Sequence, residues 1–328
     1  MTSSPAADAG KINGPHLHTL NFDVAARIQT LRDCIRDVLD TTQPTYAHYA
    51  VADIGGHPAH LAGSLMVPAL TFDLPRRGPT GYVRATGAGL PLRDKSIPVV
   101  VAGDTLEHIP PQYREGFVTE LARCASEAVI FSGPWNTPGV AEAEAAVRSV
   151  MPQSSPTWRW LDEHERFGVP DLHATIAALE NLDFTISILP DGNLWEWFLL
   201  FLTENTLHGL PGFSADWHRW QPEWNALPGG EEVRKTCPPT YRHVLIASRK
   251  PVPLFPSIDP FQSLPSGFLE RISAATSLAQ MIQNNLRNIT CDAGRSNAEY
   301  ERVKQQRTAP NEPCKSSKPQ SFLEAWFR

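Results

Sequence analysis

Apolar residues recur at helical spacing at Val24, Ala25, Ile28, Leu31, Ile35 and Leu39, which predicts a helix over about 23–40. The run YAHYAVADIGG that follows is aromatic and β-branched and stops at two glycines, as a buried strand entering a tight turn does. A short helix is predicted over 60–65 and a second strand in PALTFDLP, ending at Asp73. The Gly/Pro-rich stretch 76–93 has room for one short strand near Tyr82 to Ala85. SIPVVVAGD is apolar throughout, the pattern of a strand covered on both faces. Tyr113, Phe117, Val118, Leu121 and Ala125 then mark an amphipathic helix, and EAVIFSGP is a further apolar strand. Residues 135–182 read as mostly helical with a loop. DFTISILP and YRHVLIAS are two later strands, separated by a Trp-rich helical segment. Strands alternating with helices imply βαβ units and a doubly wound α/β sheet.

Beyond residue 250 the pattern changes. One helix is predicted over about 268–289, and the polar, charged stretch 291–320 reads as disordered. The last eight residues, SFLEAWFR, are apolar again, so 321–328 is a candidate docking motif. The division expected is a flexible 1–20, a main domain over 21–250 with a helical insertion near 191–240, and a helix and tail over 251–328.

With 41% hydrophobic and 20% charged residues in 328, most of the chain can bury a core. A net charge of -6 removes the bulk electrostatic argument for a nucleic-acid partner. The five cysteines are widely spaced without a C-x-x-C pair, which disfavours a disulfide scaffold or a cysteine zinc site. The N-terminus lacks the apolar core of a secretory signal, and the stretch Leu194 to Thr203 is far shorter than the roughly 20 residues that span a bilayer. A cytoplasmic protein without an integral membrane segment is the expectation.

In open parallel sheets, ligands bind outside the carboxyl ends of the strands. Here those ends carry Asp53-Ile54-Gly55-Gly56, Asp73, Gly103-Asp104-Thr105-Leu106-Glu107-His108 and Ser132-Gly133-Pro134. Acids and glycines also end strands for turn reasons alone, but four such ends in register point to a site. The twenty-residue spacing from Asp53 to Asp73 fits a carboxylate for ribose hydroxyls, whereas G-x-G-x-x-G is absent and Pro58 removes a backbone donor. That favours a nucleoside without a pyrophosphate and disfavours a nicotinamide-dependent oxidoreductase.

VADIGGHPAHLA, LTFDLP and GLPLRDKSIPVVVAGDTLEHIPPQYREGFVTELARCASEAVIFSGP together resemble a class I S-adenosylmethionine-dependent methyltransferase, most of all the type 11 methyltransferases. The resemblance covers about residues 45–135; DEHERFGVPDL and LPDGNLWEWFLLFL resemble, more loosely, a subset associated with sugars and polysaccharides. It implies a seven-stranded, mostly parallel Rossmann-like sheet with a helical insertion before the last strand. It implies methyl transfer (EC 2.1.1) to a small-molecule or saccharide acceptor with S-adenosylmethionine as cofactor. By position, Asp53, Gly55 and Gly56 match the loop under the methionine part, and Asp73 the acid on the ribose. Thr86, Gly87 and Ala88 match the adenine loop, and Asp104, Thr105 and Leu106 the cofactor's substrate side. The chain departs from the family at His57 and Ala59, where glycines are usual. It departs again at Thr86, where an acid is common, and at Ile97-Pro98. These departures keep open a non-catalytic binding protein of the same fold.

Methyl transfer to a hydroxyl benefits from a group that removes its proton. His108, beside the fourth strand end, is the candidate catalytic base, with helix capping by Glu107-His108 as the structural alternative. His164 is a second candidate, read as a surface or substrate-loop residue whose flanking Glu163 and Glu165 raise its pKa. His57 and His60 find no partners at metal-ligand spacing, so no metal is assigned. Trp195, Trp197, Phe198, Phe201, Trp217, Trp220 and Trp224 form either a lid over an apolar or sugar ring or a plain hydrophobic core.

Overall fold

The computed structural model describes residues 19–74, 82–227, 239–252 and 259–308. The first helix, α1 (Phe22–Thr42), starts where the Asn21 side chain accepts from the Asp23 N–H at 3.0 Å. It ends at Gln43, in the left-handed region at φ 45°, whose N–H returns to the Leu39 carbonyl. Its buried stripe of Ala25, Ile28, Leu31, Cys34, Ile35 and Val38 is the helical periodicity of the sequence.

The strands are β1 (Val51–Ile54), β2 (Ala69–Asp73), β3 (Tyr82–Arg84), β4 (Ile97–Gly103), β5 (Ala125–Pro134), β6 (Thr185–Asn193) and β7 (Thr240–Ser248). Among the described residues they form one sheet in the order β3-β2-β1-β4-β5-β7-β6. Between them lie α2 (Leu61–Ser64), α3 (Pro111–Cys124), α4 (Val140–Val150), α5 (Pro156–Phe167), α6 (Leu172–Glu180), α7 (Leu194–Leu207) and α8 (Phe213–Asn225). Period-two alternation divides the core. Val99 and Val101 of β4 face the α1 side with Ile28 and Leu31, while Val100 and Ala102 pack with Phe117 and Leu121 of α3. Burying each such branched or aromatic side chain contributes about 1.5–3 kcal/mol.

The mostly parallel sheet needs correction: the sheet is mixed. The pairs β1–β2, β1–β4, β2–β3 and β4–β5 are parallel, but β7 runs antiparallel to both β5 and β6. The reason is local. β6 ends at Asn193, which pairs with Thr240, the first residue of β7, and the Leu194 N–H donates to the Pro239 carbonyl. The segment carrying α7 and α8 therefore leaves and re-enters the sheet at one edge, and the next strand must run back. That places the opening residues of β7 beside the carboxyl ends of the other strands.

The aromatic segment is core. Phe198, Phe201, Trp197 and Trp217 are buried with Val140, Val147 and Leu161, and Trp195, Trp220 and Trp224 pack against them. Trp197 stacks on Tyr241 of β7 at 3.8 Å between ring centroids. Asn193 caps α7 by accepting from the Glu196 N–H at 2.9 Å. Asn193→Ala is expected to cost about 1 kcal/mol, seen as a fall of roughly 3 °C in calorimetric melting.

The chain divides into two units, residues 1–283 and 284–328. The last helix, α9 (Phe268–Thr308), is longer than the 268–289 expected, so 291–308, read above as disordered, is helical. The candidate docking motif 321–328 lies outside the described residues, as do 1–18 and the 75–81 part of the Gly/Pro-rich loop. No described helix is long and apolar enough to cross a membrane.

Candidate active site

The carboxyl ends of β1, β2 and β4 bring Asp53, Gly55, Gly56, Asp73 and Thr105 together. Gly55 follows β1 at φ +77°, and a Cβ there would lie 2.5 Å from Thr105 Oγ1. Thr105 Oγ1 in turn sits 3.1 Å from both the Ile54 and Gly103 carbonyls, so it ties the β1 end to the β4 end. Gly56 lies flat on the Asp53 carboxylate, where any Cβ would overlap Oδ2. Asp53 is only 3% exposed, and its Oδ2 is buried without a hydrogen bond. Burial pushes its pKa up to about 7; Arg27 opposes the rise and the Asp73 charge adds to it. Asp73 is half-buried, with Oδ1 accepting from the Leu74 N–H at 2.7 Å and its carbonyl from Ala85 at 3.2 Å.

The other predicted residues are placed less uniformly. Thr86 and Ala88 are exposed in the turn after β3, closed by the Gly89 N–H on the Thr86 carbonyl. Gly87 lies against the Phe117 ring, where a Cβ would overlap it. The Leu106 side chain belongs to the core, at 4% exposure, so only its backbone can serve a ligand. Asp104, at φ 46°, does not present a free carboxylate. Arg242 of β7 holds it in bidentate fashion, Nε to Oδ1 and Nη2 to Oδ2, both at 2.8 Å, and Arg27 of α1 pairs with Oδ2. Arg242 is also bidentate to Asp23, at 2.7 Å on each oxygen. Burial works against ionisation of Asp104, but Arg242 and Arg27 outweigh it and hold the carboxyl well below its ordinary range.

Beyond Asp104, the 3₁₀ turn Leu106–His108 carries Glu107 and His108. Glu107 is 1% exposed; burial, then the Asp104 charge, pushes its pKa up to about 8. Burial, then His164, lowers His108 to about 4, so it is neutral near pH 7. His164 of α5 is not a surface residue. It is 6% exposed, its ring 4.9 Å from that of His108. Its pKa does rise, but the cause is Glu144 of α4, whose Oε1 lies 3.0 Å from Nδ1 and outweighs burial. The flanking glutamates are occupied elsewhere: Glu163 Oε2 lies 3.0 Å from His108 Nδ1, and Glu165 pairs with Arg148. Tyr241 of β7 donates to the same Glu144 oxygen at 2.8 Å. Arg27, Arg242, Glu144 and Tyr241 were not among the residues picked from sequence. Each reaches the site only through α1, α4 or the reversed β7.

No protein-family model and no curated protein matches the sequence. Among solved structures the chain is similar to a putative sarcosine dimethylglycine methyltransferase from Galdieria sulphuraria, at 12% identity over 67% of this chain and 86% of that one, TM-score 0.42. It is also similar to magnesium protoporphyrin IX methyltransferase from Synechocystis, at 14% identity over 70% and 86%, TM-score 0.39. A third is phosphoethanolamine N-methyltransferase 2 from Haemonchus contortus, in complex with S-adenosyl-L-methionine, at 11% identity and TM-score 0.38. That match covers 67% of this chain and 53% of the other, so this chain spans about half the length of the nematode enzyme. Identity this low leaves function to be argued from the residues of this chain.

Proposed function

We propose that the chain is a methyltransferase that uses S-adenosylmethionine and acts on a hydroxyl of a small-molecule acceptor, saccharides included. The observation that carries the reading is the orphaned, buried Asp53 carboxylate under a glycine that no Cβ could replace, with Asp73 at the neighbouring strand end. An unpaired buried acceptor is costly to the protein alone, and a cationic amino group is the partner that would satisfy it. The fit extends outward. Gly55 and Gly56 lack the side chains that would collide with Thr105 and Asp53, and Arg27 offers positive charge near Asp53 for a carboxylate. Asp73 has two acceptor oxygens for two ribose hydroxyls. Thr86, Gly87 and Ala88 form the rim on which a base would rest.

The cofactor, when bound, supplies an electrophilic methyl group on a sulfonium. The protein's work is alignment and exclusion of water. Asp104, fixed between two arginines, is held as a rigid wall of the site rather than as a mobile acid. The proton of the acceptor hydroxyl falls to the cluster that follows it, which includes His108, the base candidate from sequence. The exposed Thr86, where the resembled family commonly carries an acid, favours a second reading, a binding protein that does not turn over.

Calorimetric titration with S-adenosylmethionine tests the proposal. Micromolar binding is expected, weakened about 10- to 100-fold in Asp73→Ala by loss of charge-assisted hydrogen bonds. No binding up to millimolar would sink it. Binding without demethylation of the cofactor across a hydroxyl-bearing acceptor panel would favour the second reading.

A further inference from the structure

We propose that Glu107, His108 and His164 form a binding site for one divalent transition-metal ion. One ligand atom from each lies within 4.8 Å of the others. Two buried atoms in this cluster have no hydrogen bond, Glu107 Oε1 and His164 Nε2, while His108 Nδ1 lies 3.0 Å from Glu163 Oε2. Two of the three side chains are more than nine-tenths buried, at 1% exposure for Glu107 and 6% for His164. Native proteins rarely leave neighbouring buried polar atoms unsatisfied. A single cation that takes Glu107 Oε1, His164 Nε2 and a ring nitrogen of His108 answers both. Bonds of about 2.1 Å put such donors roughly 3–4 Å apart, so a small inward rotation of the side chains completes the site.

The surroundings are those of metal-ligating histidines. Glu144 Oε1, 3.0 Å from His164 Nδ1, keeps the ring proton on that nitrogen and turns the Nε2 lone pair free. Tyr241, donating to Glu144, fixes the carboxylate in turn. Glu163 stands 3.0 Å from the His108 ring. Two imidazoles and a carboxylate suit zinc, cobalt, manganese or iron(II), not magnesium or calcium, which prefer all-oxygen sets. Three protein ligands among the described residues leave coordination positions open, the mark of a reactive rather than a structural ion.

The location gives the ion a use. Glu107 and His108 follow β4, and Glu107 Oε2 packs against Gly133 at the end of β5, so the cluster sits on the same sheet edge as Asp53 and Thr105. An acceptor hydroxyl bound at an open position would be acidified by the ion and release its proton to water, with His108 then a ligand rather than the base. That use rests on the proposed methyl transfer; the binding of the ion does not.

The test is therefore done without cofactor or acceptor. The full chain, stripped with a chelator, is titrated with Co²⁺ by calorimetry and visible absorption. One equivalent with ligand-field bands unlike aqueous Co²⁺ is expected, displaced by Zn²⁺ and unaffected by excess Mg²⁺. Glu107→Gln and His164→Asn should each weaken binding at least about tenfold, and Glu144→Gln about 10- to 100-fold through the ring it orients. His218→Ala, an exposed histidine on α8, should change nothing. Melting curves report whether each variant folds, and Zn²⁺ should raise the melting temperature of the parent but not of Glu107→Gln. Absence of stoichiometric binding would overturn the proposal. So would equal affinity and spectrum in both ligand variants, or a loss on His218→Ala. If the chain binds Co²⁺ but not S-adenosylmethionine, the metal site stands and the methyltransferase reading falls.

Discussion

Arg242→Leu is expected to destabilise the protein by about 3–5 kcal/mol, because it takes a bidentate partner from two carboxylates at once. Arg242 is 4% exposed and forms paired hydrogen bonds to both Asp23 and Asp104. In its absence Asp104 keeps only Arg27, and Asp23 loses both of these bonds. For a chain of this size the loss corresponds to a fall of roughly 10 °C in melting temperature. Arg242→Lys should fall between, since an ammonium keeps the charge but cannot make two bidentate pairs. The pH dependence has a definite sign. The folded-state pKa of Asp104 is depressed, so its contribution is present above the unfolded value near 4 and fades as pH drops below it. The gap between parent and Arg242→Leu should therefore narrow in acid. Chemical denaturation at pH 7.5 and pH 3.5 measures it, and a gap that widens in acid would refute this account of the network.

Gly56→Ala is expected to weaken S-adenosylmethionine binding by about three orders of magnitude, or roughly 4 kcal/mol, with a much smaller effect on folding. The added methyl would overlap Asp53 Oδ2, and Asp53 is buried, so either the carboxylate or the loop must move. The same carboxylate sets a pH dependence. In the free protein its pKa is raised to about 7, and a bound ammonium favours the ionised form, so binding releases a proton below that pH. Affinity should drop nearly tenfold per unit below about 7. Asp53→Asn should bind weakly and flatten that slope. Calorimetry across pH 5.5–8.5 resolves both. A parent affinity that stays level to pH 5.5 would remove Asp53 from the cofactor's amino group.

Much of the scaffold is legible in the sequence because burial leaves a period. The stripe from Ala25 to Val38 could only be one helix face, and the apolar runs ending at Asp53, Asp73, Gly103 and Pro134 became β1, β2, β4 and β5. Direction is another matter. All nine residues of β7 are buried, so it reads like a strand of a parallel sheet covered on both faces, and its reversal leaves no mark in the pattern. The pairs that depend on that direction were illegible for the same reason. Arg242 meets Asp104 across 138 positions only because the strand is reversed. Likewise, sequence neighbours misled at His164. Residues i±1 on a helix point away from each other, so Glu163 turns to His108 and the pKa of His164 is set by Glu144 on another helix. The tryptophans carried no sign of whether their faces meet a ligand or each other; α7 and α8 turn most of them inward.

The position of β7 also sets an order for folding. The strand lies between β5 and β6, yet it is the last of the seven to be synthesised. Until residue 248 has emerged from the ribosome, one edge of β5 and one of β6 have no partner, and each is a template for pairing with another chain. The nascent protein therefore holds an adhesive, unfinished sheet from the emergence of β5 until β7 follows it. It closes when β7 slides between them, a long-range step and so a slow one. Synthesis in the cell should lean on chaperones that shield such edges, and chains cut short before Thr240 should aggregate rather than fold.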